Sequence, residues 1–163
     1  MLLERGEPVR DPWRRIGDDA PLPDGHCIIS LDRLLGLDAA RLPAPLGVSL
    51  PPDKEPELLR DQLPVLALVA LHFPIFRDGR AFTQARALRE HLAFGGEIRA
   101  TGGFLPDQYG FLLRCGVTTI EVADDADLAV WKTAAERFHV AYQPSVLDPA
   151  AAGPLRRFLR PPA

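Results

Sequence analysis

Cysteine is scarce in this chain: Cys27 and Cys115 are its two thiols among 163 residues, and they share no motif spacing. They cannot supply the four thiolates of an iron–sulfur cluster, and buried free thiols are the expected state rather than a disulfide. Basic excess is also lacking, since 19 Lys and Arg face 22 Asp and Glu for a net charge of -3. Phosphate neutralisation needs a basic surface, so a general nucleic-acid partner is not expected. The longest apolar run, Leu63 to Phe73, is interrupted by Pro64 and His72 and is too short for a membrane span. The opening MLLERGEPVR mixes acid and base and has no apolar core of a secretory signal, so a cytoplasmic protein is expected.

Standard site motifs are missing as well. No G-x-G-x-x-G follows a strand pattern, and no G-x-x-x-x-G-K-[ST] occurs. There is no G-x-S-x-G elbow and no H-E-x-x-H or histidine–cysteine cluster. No cofactor and no metal are therefore predicted.

What is present is ordinary globular composition, 47% hydrophobic and 25% charged, over a length that suits one domain with a real core. Residues 1–25, rich in proline, glycine and charge, read as an irregular arm that Trp13 tethers to the body. Residues 26–143 read as an α/β domain, and residues 144–163 as a proline-rich basic tail. Within the domain, CIIS reads as a short strand running into a helix. GVSL, VLALVALHF, EIRAT, TTIEV and HVAYQP then read as about five strands. Helical patterns separate them: a segment starting near Asp53, then TQARALREHLAF, PDQYGFLLRC and DADLAVWKTAAERF. Single helices between strands imply crossovers, hence a mostly parallel sheet covered by helices. An open doubly wound sheet and a partial β/α barrel fit equally.

In both architectures ligands gather beyond the carboxyl ends of the parallel strands. That rule selects the loops LPPDKE, HFPIFRDGR, TGGFLPDQ and YQPS. In the second, Arg77, Asp78 and Arg80 stand just before a helix whose free N–H groups favour anions, with Arg86 further along it. In the third, Gly102 lets backbone approach closely, and Asp107 and Gln108 open the next helix. The candidate anion-binding set is thus Arg77, Arg80, Arg86, Gln108 and Gly102, with Asp78 and Asp107 as candidate acid/base groups. The competing reading is structural: Asp78–Gly79 as a turn, Arg86 and Glu90 as a surface pair, Asp107 as a helix-start acid.

The block FPIFRDGR, the arginine-bearing helix after it and GEIRATG resemble a bacterial domain family of unknown function, number 934. DPW near the start, LGVSLPPD and VAYQP carry the resemblance over nearly the whole domain. Departures occur at Ile75, where a lysine is common, at Phe82, and at Gly103 and Pro106. Members are often labelled oxidoreductases of sulfite reduction and commonly lie beside the sulfite reductase haemoprotein. The resemblance therefore implies an accessory role in sulfate assimilation and cysteine supply, binding sulfite reductase, another protein of that pathway, or a small sulfur oxyanion. The alternative is a small βα-repeat metabolic enzyme acting on a carboxylate or phosphate with Asp78 or Asp107 as acid/base. A homodimer is compatible with that alternative, because a half barrel leaves sheet edges to cover.

Overall fold

The structure, a computed structural model, describes residues 1–38, 42, 44–137 and 145–146. The strand expected at HVAYQP, the loop YQPS apart from Ser145, and nearly all of the tail lie outside the described residues. Among the described residues eight strands form one sheet: β1 (Leu2–Glu4), β2 (Glu7–Val9), β3 (Arg14–Arg15), β4 (Cys27–Ser30), β5 (Leu46–Leu50), β6 (Leu66–Phe73), β7 (Glu97–Gly102) and β8 (Thr119–Glu121). Their spatial order is β2-β1-β8-β7-β6-β5-β4-β3. From β3 to β8 every neighbouring pair is parallel, whereas β1 runs antiparallel to both β8 and β2.

Consecutive parallel order decides between the two architectures. Right-handed crossovers that never reverse direction put every helix on the same face of the sheet. The α-helices among the described residues are α1 (Leu31–Leu35), α2 (Arg80–Glu90), α3 (Tyr109–Arg114) and α4 (Leu128–Glu136). Leu34, Ala85, Leu88, Leu112 and Trp131 from all four share one buried cluster with Ile29, Val48, Leu71, Ile98 and Ile120 of the strands. Among the described residues the opposite face carries a small buried apolar group, Ile28, Leu68 and Ala70, with Trp13 packed on it. A doubly wound sheet would need helices there, so the fold is a half-barrel with helices outside and a concave inner face.

Curvature follows from one ion pair. Arg15 of β3 meets Glu121 of β8 at 2.7 Å although β4, β5, β6 and β7 lie between their strands. On a flat sheet five inter-strand steps would separate those strands by about 24 Å. The sheet therefore curls until its ends approach. Residues 10–13 link β2 to β3, the two outermost strands, and so cross the open side of the half-barrel. Such a link spans at most about 18 Å.

Three differences from the sequence reading have physical causes. The arm is not irregular: it supplies β1, β2 and β3, which join the strands expected at CIIS, GVSL, VLALVALHF, EIRAT and TTIEV to make eight among the described residues. Its proline, glycine and charge are what short edge strands carry, and Pro8 sits in the edge strand β2. The helix expected after Asp53 is replaced by 3₁₀ turns at Pro56–Leu59 and Leu63–Val65. Pro56 and Pro64 lack the N–H groups that an α-helical ladder would need there. Of that segment Leu59 is fully buried, while Leu58 is exposed. Elsewhere the expected helices form, and α4 is capped by Asp127, which accepts the Ala129 N–H.

Candidate functional site

The carboxyl ends of β6 and β7 carry two loops bound back to back. Phe73 ends β6 fully buried, edge-on to Phe82 at 5.0 Å and to Phe104 at 5.6 Å. Its carbonyl accepts the Gly103 N–H at 2.7 Å. Gly102 adopts φ +99°, and a Cβ on it would lie 2.3 Å from the Phe73 carbonyl oxygen. Glycine is thus required for this approach. Gln108 completes the clamp: its amide donates to the Phe76 carbonyl at 2.9 Å, and its carbonyl accepts the Leu105 N–H at 3.0 Å. What the clamped loops present outward is mainly apolar. Ile75, Phe76, Leu105 and Phe111 are 57%, 42%, 42% and 41% exposed, and the Arg77 guanidinium lies over the Phe76 ring at 5.2 Å.

In RDGR, Asp78 and Arg80 pair with each other, while Arg77 lies over Phe76. Asp78 accepts two bonds from Arg80 Nε, at 2.9 and 3.2 Å, one from its Nη2 at 2.5 Å, and the Arg80 backbone N–H at 3.2 Å. These bonds from Arg80 hold the Asp78 carboxyl down at about 2. A carboxyl so acidic is a weak base at neutral pH and is not available as a proton donor. A carboxyl-carbon NMR titration should therefore find Asp78 ionised down to a midpoint near 2; a midpoint at an ordinary carboxylate value would mean the Arg80 pair does not persist in solution.

The other predicted residues divide between two surface grooves. Arg80 and Arg86 border one of 660 Å³ with Lys54, Gln84, Glu90 and His91. In it Arg86 pairs with Glu90, the i,i+4 contact that the helix spacing predicts. Asp107 lies on a different groove of 770 Å³, between the Pro106–Gln108 turn and α4, with Leu105, Val130 and Arg137. The structure thus joins Asp78 to Arg80, and Gln108 and Gly102 to the Phe76 loop, but does not gather both aspartates with the arginines. Arg89, which the sequence places beside Arg86 on the helix, is half-buried. It donates to the carbonyls of Phe94, Gly96 and Gly116, tying α2 to the segments that enter β7 and leave α3. Burial pushes the Cys115 thiol up to about 11, which leaves it unreactive. Among the described residues no group of three or more His, Cys, Asp or Glu is placed to hold a metal ion.

Sequence reasoning missed a second constellation, on the concave face. Arg99, 1% exposed at the middle of β7, donates Nη1 to Asp11 Oδ2 at 2.8 Å and Nη2 to Asp11 Oδ1 at 3.1 Å. It also pairs with Glu97 at 2.9 Å and Glu121 at 3.2 Å, while Thr119 donates to Glu97 at 2.5 Å. Burial pulls this guanidinium down, yet the hydrogen bonds and charges of Asp11 and Glu97 outweigh that and hold it more basic than usual. Burial likewise raises the Asp11 carboxyl, and Arg99, the Trp13 N–H and Arg15 more than offset it, so its net position is below the ordinary value. The available signal was local: in EIRAT, Glu97 and Arg99 alternate with Ile98 and Ala100, placing two charges on the face opposite the helices.

Fold and site together define a half-barrel α/β protein with a clamped apolar rim and a buried charge network across its inner face. Residues 47–152 match the family described as "Bacterial protein of unknown function (DUF934)", and the chain belongs to that family. Neither the curated proteins nor the solved structures contain a significant match to the chain.

Proposed function

We propose that this protein is an accessory, partner-docking protein of assimilatory sulfite reduction, with the rim of the half-barrel as its recognition surface. One observation carries the docking part: two loops locked by Gly102, Gly103 and Gln108 hold Ile75, Phe76 and Leu105 in solvent beside Arg77. Rigid, exposed aromatic and aliphatic groups next to an arginine are what the anchor region of a protein interface requires. The sulfite-reductase partner is what the family resemblance implies. A small enzyme is the weaker reading. It needs its aspartates beside the arginines in one pocket, whereas Asp78 is engaged by Arg80 and Asp107 borders another groove.

The test is retention of sulfite reductase activity on the immobilised protein from cells grown on sulfate. Wild type should retain it, and Ile75→Asp and Phe76→Asp should each weaken retention by about thirtyfold, the effect of losing an anchor worth about 2 kcal/mol. Thermal midpoints should stay near that of the wild type, because both side chains are exposed. Absence of sulfite reductase on the wild-type column would overturn the partner; undiminished retention by both variants would overturn the surface.

A further inference from the structure

The concave face holds more than a structural ion pair. Residues 10–13 cross the open side of the half-barrel, and among the described residues none of their backbone groups bonds to another backbone group. The crossing is held by side chains: Asp11 on Arg99, and Trp13 on the apolar floor of Ile28, Leu68 and Ala70. The Trp13 ring also stands edge-on to His26 at 4.9 Å, and the Trp13 backbone N–H donates to Asp11 Oδ1 at 3.0 Å, which fixes the turn between the two anchors. Asp11 remains 36% exposed, so the strap side of the pair is reachable from water while Arg99 is not.

The contact has the form of ligand recognition. The Arg99 fork meets the two oxygens of Asp11 through two N–H···O bonds, the arrangement by which arginine recognises a carboxylate. Next to it lies an apolar floor covered by one flat aromatic ring. The strap therefore presents a carboxylate and an aromatic group on a short stretch of chain with little backbone anchorage. Glu97 and Glu121 keep Arg99 compensated when Asp11 leaves, and Arg15 stays on Glu121 from its own paired strand β3. Withdrawal of Asp11 thus opens one place beside the guanidinium, sized for one carboxylate.

We propose that the concave face is a binding site for a small carboxylate bearing a flat apolar group, centred on Arg99, and that residues 10–13 act as a pseudo-ligand closing it. Asp11 stands where the ligand carboxylate binds, and Trp13 where its apolar body lies. Binding displaces the strap, so apparent affinity is the intrinsic affinity reduced by the fraction of molecules with the strap open. This site is separate from the rim and does not depend on the docking reading.

The experiment uses Trp131→Phe, which leaves Trp13 as the sole tryptophan. Phenylacetate is titrated while Trp13 emission is followed, with uncharged phenylacetamide, sulfite and inorganic phosphate as comparison probes. The expected result is a saturable red shift with phenylacetate alone. Adding Asp11→Asn, which weakens the strap's hold on Arg99, should tighten the apparent affinity about tenfold, the equivalent of about 1.4 kcal/mol. No shift with phenylacetate in either protein overturns the proposal. So does an equal shift with phenylacetamide, which would mean that the apolar floor alone binds, or a response confined to sulfite or phosphate. The titration of the Trp131→Phe protein decides the matter by itself if the Asp11→Asn variant does not fold.

Discussion

Arg99→Met is expected to destabilise the protein by about 3–5 kcal/mol, the cost of removing one partner from a buried charge network. The substitution keeps most of the side-chain volume, so a cavity contributes little. What it leaves is Asp11, Glu97 and Glu121 on the concave face, with Arg15, paired to Glu121 and acting at longer range on Asp11, to offset them. The pH dependence should invert. In the wild type the Asp11 carboxyl is lowered below its ordinary 3.8, so its contribution is fully present above that value and fades as pH falls through the folded value. In the variant the Asp11 carboxyl loses the guanidinium that lowers it and keeps the like charges of Glu97 and Glu121 nearby, which raises its folded value. A raised carboxyl binds protons more readily folded than unfolded, so the variant should gain stability as pH falls from 7 towards 5. Urea denaturation at several pH values measures both effects. A variant with wild-type stability and an unchanged pH slope would show that the network does not carry the inner face.

The second large effect is expected at the rim. Gly102→Ala should cost about 3 kcal/mol, because it combines backbone strain with a contact that side chains do not tolerate. The residue sits at φ +99°, and the new methyl would lie 2.3 Å from the Phe73 carbonyl oxygen and 2.9 Å from His72 Cε1. Relief requires the β6 and β7 loops to separate, which also breaks the Gly103 N–H bond to Phe73 and strains the Gln108 bond to Phe76. The variant should therefore lose partner retention along with stability, unlike Ile75→Asp and Phe76→Asp, which should lose retention alone. An unchanged thermal midpoint in Gly102→Ala would show that the two loops are not closely coupled.

These effects lie at sites of different legibility. The rim could be located before the fold was known, because a continuous apolar strand ending in Phe73 and a glycine pair after EIRAT place two loops at the carboxyl ends of neighbouring strands. Which groups those loops expose could not be read. Arg77 and Arg80 drew attention as cations, yet Arg80 closes on Asp78, two residues away, and Arg77 lies on Phe76. The surface that remains is apolar, and Ile75 stands where the resemblance leads one to expect a lysine. Arg89 shows the same limit in reverse: helical spacing puts it beside Arg86, and only packing shows that it reaches the carbonyls of Phe94 and Gly96 past the helix end and of the remote Gly116.

By itself the sequence determined the layered α/β class, the parallel pairing and most element positions from β4 to α4. Those follow from period and punctuation: a buried strand such as Leu66–Phe73 is apolar throughout, and helices such as α2 and α4 repeat at 3.6. Only the tertiary structure decided that the sheet winds one way into a half-barrel, that the arm forms the strands at both of its ends, and that Asp11 reaches Arg99. The physical reason is distance along the chain. A two-residue strand such as Arg14–Arg15 has no period to detect, and Asp11 and Arg99 are 88 residues apart. Curvature brings such residues together, and curvature is a property of the whole sheet rather than of any segment in it.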